Sequence, residues 1–102
     1  MNAESQIVEL EAESVQFLSP GDEDAFFGWL AELSFVVKYF GRGKVLHISI
    51  NLAAMDECGL REIIALFFRY KIEMRQLLKL NVDKFSEWFG DKDSFWHEGV
   101  FG

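Results

Sequence analysis

The sequence predicts a small two-layer α+β domain, order β-α-β-α-α with room for a short C-terminal strand, occupying residues 1–102 as a single domain. Three observations carry this. Apolar and polar residues alternate at Ile7–Ala12 and again at Lys44–Leu52, apolar residues recur at helical spacing between those stretches, and a longer helical pattern follows from Asp56. Half of the 102 residues are apolar, 26 % are charged and one is proline, the make-up of a folded domain.

In the first stretch Val8, Leu10 and Ala12 fall on one side of a strand and Glu9, Glu11 and Glu13 on the other. The apolar phase then moves to Val15 and Phe17, so a bulge or turn is expected at Glu13-Ser14. Ser19-Pro20-Gly21-Asp22 reads as a helix start. The serine hydroxyl can accept from an orphan amide, proline suits the first helical position, and Asp22 sits where a capping box wants an acid. Phe26, Trp29/Leu30, Leu33, Val36/Val37 and Phe40 continue that helix, with Lys38 and Arg42 late and Gly41 as a left-handed cap. An alternative reading makes Phe35–Phe40 a strand and Gly41-Arg42-Gly43 a hairpin turn. Lys44–Leu52 is the clearest strand, with Leu46, Ile48, Ile50 and Leu52 facing one way and His47, Ser49 and Asn51 the other. Two strands joined through a helical crossover are expected to run parallel.

From Asp56 to Leu80 one helical stripe holds Leu60, Ile63, Ile64, Phe67, Tyr70, Met74, Leu77 and Leu78. Ala65, Phe68 and Ile72 form a second, narrower stripe, so this helix must be covered twice, by the C-terminal segment or by another chain. Lys71 beside the main stripe predicts either a break at Tyr70-Lys71 or an aliphatic stem lying over the core. Asn81 is placed to cap a last short helix carrying Phe85, Trp88 and Phe89 and ending at Gly90. Six of the sixteen aromatic residues lie in the final eighteen positions, enough to dock as a lid or an interface.

The net charge of −7 is unevenly spread: residues 1–37 carry −8, residues 38–80 carry +4 and residues 81–102 carry −3. Such a field repels nucleic acid and anionic membrane and speeds encounter with a cationic protein. The longest apolar run, Ile63–Phe68, is six residues, against the roughly 20 that span a bilayer. Met1-Asn2-Ala3-Glu4-Ser5-Gln6 lacks the basic start and apolar stretch of a signal peptide, so a cytoplasmic location is expected. Cys58 has no partner for an intrachain disulfide.

Chemistry finds little to work with. Cys58 sits near a helix start, but Asp56 and Glu57 oppose its thiolate. His47 and His97 stand at no metal-ligand spacing, so neither a metal nor a cofactor is predicted. The G-x-S-x-G and H-E-x-x-H motifs are absent. Gly41-Arg42-Gly43-Lys44 lacks the G-x-x-x-x-G-K-[ST] spacing of a phosphate loop and reads as a turn with solvated cations. The basic and aromatic residues of Arg61–Lys79 are flanked by two acidic segments, which argues against nucleic-acid binding.

At Lys44–Phe68 the string KVLHISINLAAMDECGLREIIALFF resembles the central strand and following helix of STAS domains, the module of sulfate transporters and anti-sigma-factor antagonists. That family ends the strand in a D-S-S-G-L turn; Asp56-Glu57-Cys58-Gly59-Leu60 keeps Asp, Gly and Leu and replaces both serines. The resemblance covers about a quarter of the chain, and the family's further strand and helix alternation is absent after residue 70. It implies a STAS-like, protein-binding regulatory module without a phosphorylatable serine, in which Glu57 supplies a fixed negative charge.

The expected activity is therefore non-enzymatic: an acidic protein-binding adaptor or inhibitor of a basic partner protein, with immunity-like or antitoxin-like proteins as one version by composition. Glu9, Glu11, Glu13, Asp22, Glu23 and Asp24 would steer the encounter, and Phe68, Ile72, Trp88 and Trp96 would supply apolar anchors. The alternatives are a self-associating homodimer built on Phe68, Ile72 and the C-terminal aromatics, and an enzyme using His47 or Cys58.

Overall fold

The computed structural model describes residues 6–102, so Glu4 and its neighbours in Met1–Ser5 lie outside the described residues. The elements are β1 (Ile7–Glu13), α1 (Pro20–Ala31), β2 (Val36–Arg42), β3 (Val45–Asn51), α2 (Glu57–Arg69), α3 (Asp83–Phe89) and α4 (His97–Phe101). Short 3-10 segments at Leu52–Ala54 and Arg75–Leu80 flank α2. The α+β class holds, and the order is corrected by one added strand and one added helix.

β1 alternates as its sequence dictates: Leu10 and Ala12 are buried and Glu9, Glu11 and Glu13 are exposed. The expected interruption sits at Ser14, whose φ of 52° ends the strand while its amide donates to Lys44 O at 2.7 Å. Ser19 caps α1, its hydroxyl accepting from Asp22 N at 3.1 Å with Pro20 in the first turn. Asp22 Oδ2 accepts in return from Leu18 N at 2.9 Å, one residue before the usual capping-box donor.

The helix does not run on to Phe40. It stops at Ala31, and Val36–Arg42 forms a strand instead, close to the alternative reading. Val36 and Val37 are β-branched, and pairing with β3 satisfies backbone groups that an isolated helix end would leave to solvent. The turn holds Gly43 and Lys44, with Gly43 at φ +61°, the left-handed first position that a two-residue hairpin loop needs. A register shift between Val36 and Lys38 marks a bulge in β2.

The sheet order is β1-β3-β2, and both pairings are antiparallel. The expected parallel pairing of the first strand with Lys44–Leu52 is thus corrected. Because β2 intervenes in the chain, the crossover through α1 joins β1 to β2, which run parallel to one another on either side of β3. Leu10 and Ala12 with Ile48 and Ile50 form the inner face and join Phe26 and Leu30 of α1 and Leu60, Ile63, Ile64 and Phe67 of α2 in one core.

Asp56 caps α2 by accepting from Gly59 N at 2.8 Å. The pattern that reads as one helix to Leu80 breaks at Tyr70-Lys71. There Ile72 N donates to Phe67 O at 2.9 Å and Lys71 N to Phe68 O at 3.3 Å, a Schellman closure with Lys71 in the left-handed position at φ 58°. The chain turned in this way buries Ile72 and continues through the 3-10 segment, where Leu77 and Leu80 are buried.

Val82, not Asn81, precedes α3, and no side chain caps it. The last residues form α4 where a short strand was expected. Trp96 anchors this end, donating from Nε1 to Phe89 O at 2.7 Å, with its ring 5.9 Å from that of Trp88. The Arg61 guanidinium of α2 lies 4.1 Å from the Trp88 ring, so the chain's own C-terminal segment covers part of the second side of α2 and leaves Phe68 half-exposed. Among the described residues no helix is long and apolar enough to cross a membrane.

Candidate protein-binding surface

The outer face of the sheet is where the sequence's acidic pattern becomes a surface. Register places Glu9 opposite Ser49, Glu11 opposite His47 and Glu13 opposite Val45, while Lys38, Phe40 and Arg42 flank the same three residues from β2. The three glutamates thus form a row about 7 Å apart at successive same-face positions of one strand. On the far side of β3 the face turns basic and aromatic.

Two devices hold the row in place. The Gln76 side chain pairs with the peptide of Glu11, accepting from its N–H at 2.7 Å and donating to its carbonyl at 2.7 Å, and Lys79 Nζ donates to Glu9 O at 3.1 Å. These bonds occupy an edge strand that would otherwise offer unpaired backbone to any passing chain. His47, the one base within the row, is stacked on Phe40 with ring centres 4.9 Å apart and an interplanar angle of 14°. Its Nδ1 donates to Glu9 Oε2 at 2.9 Å and lies 4.0 Å from Glu11 Oε2.

Glu9, Glu11 and His47 offer one imidazole and two carboxylate donors that all lie within 4.8 Å of one another. Zinc takes ligands of this kind. The sequence assigns no metal ligands because His47 is far along the chain from Glu9 and Glu11 and meets them only across the ladder.

The other predicted acids are used differently. Asp22 is half-buried, bonded to Leu18 N and to the hydroxyl of Tyr70, which donates to its Oδ1 at 3.0 Å. Burial, reinforced by this bond and by the Asp22 charge, pushes the Tyr70 hydroxyl above its ordinary pKa of 10.0. Glu23 and Asp24 are exposed in the first turns of α1, a favourable place for negative charge.

Of the predicted apolar anchors, Ile72 (4 % exposed) and Trp96 (6 % exposed) belong to the core and cannot meet a partner on this surface. A single straight helix would leave Ile72 outside, and the break at Lys71 brings it in; the bond from Trp96 Nε1 to Phe89 O holds the indole inside. Trp88 is half-buried beneath Arg61. Phe68 remains 52 % exposed and packs edge-to-face on Phe95, itself 56 % exposed, with ring centres 4.9 Å apart.

Cys58 is exposed in the first turn of α2, and His97 stacks on Phe101 at the C-terminus. Gly59 is buried against the Phe35 ring, and Asp56 is the cap, so the Asp-x-x-Gly pattern has a local structural use here. No family model matches the chain, and comparison with curated proteins and with solved structures likewise finds no match.

Proposed function

We propose that this protein is a non-enzymatic binding module, an adaptor or inhibitor that engages a basic partner protein through the outer face of its sheet. The observation that carries the reading is the row of Glu9, Glu11 and Glu13 on one ordered strand, exposed, with His47 as the one ion-pair partner of the row among the described residues. Three carboxylates at a fixed spacing attract a cationic surface from a distance, and in a chain of net charge −7 nothing cancels that attraction globally. Phe40 and His47 beside the row supply flat apolar area for the contact once water has left. Occupying a cationic site in this way would inhibit whatever chemistry that site performs.

Carbodiimide cross-linking tests this, since it joins a carboxylate to a lysine without a spacer. Applied to complexes formed in a native extract, it is expected to link residues 9–13 to a protein of basic isoelectric point. The combined Glu9→Gln, Glu11→Gln and Glu13→Gln variant should lose that product. Equal capture by wild type and variant, or cross-links confined to other acids, would overturn the proposal.

The exposed Phe68–Phe95 pair favours a second reading, self-association through that patch. Sedimentation over a range of concentrations separates the two: a dimer abolished by Phe68→Ser supports self-association, and a monomer at all concentrations removes it.

A further inference from the structure

A cleft of about 490 Å³ opens between the β1–α1 connection and the end of α2, with Ser14, Gln16 and Leu18 on one wall and Arg69, Tyr70 and Lys71 on the other. Its size falls in the range of small-molecule sites. Two independent features meet there. The first is backbone conformation: Ser14 at φ 52° and Lys71 at φ 58° are the two left-handed residues other than glycine among the described residues, and both border this cleft although 57 positions separate them. A side chain with a Cβ is disfavoured in that conformation, and the closing position of a Schellman turn is ordinarily glycine. Disfavoured backbone held by the surrounding fold gathers at binding sites.

The second feature is charge. Arg69 and Lys71 bring two cations to one cleft, and like every other Lys and Arg except Arg61 among the described residues they take part in no ion pair. Asp22 also lines the cleft, its carboxylate accepting from Leu18 N and the Tyr70 hydroxyl, and its charge offsets one of the two cations, leaving a net positive charge of one. An arginine fork, a lysine ammonium, a serine hydroxyl and a glutamine amide therefore line one concave surface, all able to donate. Donors of this number and variety suit a group with three or more acceptor oxygens better than a carboxylate with two.

We propose that this cleft binds a phosphate group, free or carried by a small molecule, through Arg69 and Lys71 with Ser14 and Gln16 completing the donor set. Lysine at residue 71 in place of glycine then has a purpose, because only a side chain there brings the second positive charge.

The test is a titration of the full chain with inorganic phosphate and, separately, with phosphoethanolamine, followed by amide chemical shifts at constant ionic strength. Saturable shifts at Ser14, Gln16 and residues 69–71 are expected. Tighter binding of phosphoethanolamine assigns the site to phosphorylated small molecules, and equal binding assigns it to the free anion. Lys71→Gly separates binding from folding: it should weaken the affinity at least tenfold while its unfolding midpoint stays at or above that of the wild type. Arg69→Gln, outside the strained turn, should weaken binding similarly. Shifts no larger than those with chloride, or phosphate affinity unchanged in both variants, would overturn the proposal.

Discussion

At Gly59 a methyl group would fall 2.6 Å from the Phe35 ring, closer than any side chain tolerates, and the ring is buried between the sheet and α2 with little room to move. Gly59→Ala should therefore lose roughly 1–3 kcal/mol in chemical denaturation, the usual cost of overpacking. Lys71→Gly should go the other way. Relief of about 1–2 kcal/mol of left-handed strain, less the ~0.4–1 kcal/mol of extra unfolded-chain entropy, leaves a gain of about 0.5–1 kcal/mol by the same measurement. Tyr70 adds a pH dependence. Its folded hydroxyl titrates above 10.0, so its contribution to stability is whole below that pH and is lost as the pH climbs through the folded value. Denaturation series should show Tyr70→Phe losing less stability on that alkaline limb than the wild type. The cap at Ser19 is legible in the sequence because it acts on an amide three residues on. Lys71 is not legible in this way: nothing about a lysine announces a left-handed backbone, and the sequence pattern shows only that a helix stripe is interrupted there.

Among the elements, β1, β3 and α2 could be read from periodicity, since each presents one face to a single core and the alternation records it. β2 could not. Leu33, Val36, Val37 and Phe40 fit helical spacing as well as they fit a strand, and six of the seven β2 residues are exposed, so burial leaves no alternation in the sequence. What decides is pairing with β3, a long-range term that local spacing does not contain. The row of glutamates was legible as one side of a strand, but its position across from His47 and its locking by Gln76 were not, because both depend on register and on the turn at Lys71. Gln76→Ala should unpair the Glu11 peptide at a cost of about 1 kcal/mol, and hydrogen exchange should find the Glu11 amide opening faster than in the wild type.

For the molecule as a whole, the C-terminal segment is an integral part of the core. Phe85, Phe89, Trp96 and Val100 are buried, and Lys84 ties α3 to the approach to α2 by donating to Leu52 O at 2.9 Å and Met55 O at 2.7 Å. Trp96→Ala should cost about 3–5 kcal/mol, as large aromatic truncations in cores do, and thermal unfolding would register it as a sharply lowered midpoint. With that end folded inward, the acidic row on the sheet stays exposed, and it is the surface through which we propose that the −7 charge acts on a partner. The most direct test is the association rate of the cross-linked basic protein with this chain at low and high salt. The wild-type rate should fall on the order of tenfold or more as salt screens the row, and the Glu9→Gln, Glu11→Gln, Glu13→Gln variant should start slower and respond far less. Identical rates and salt dependence in the two proteins would contradict the account.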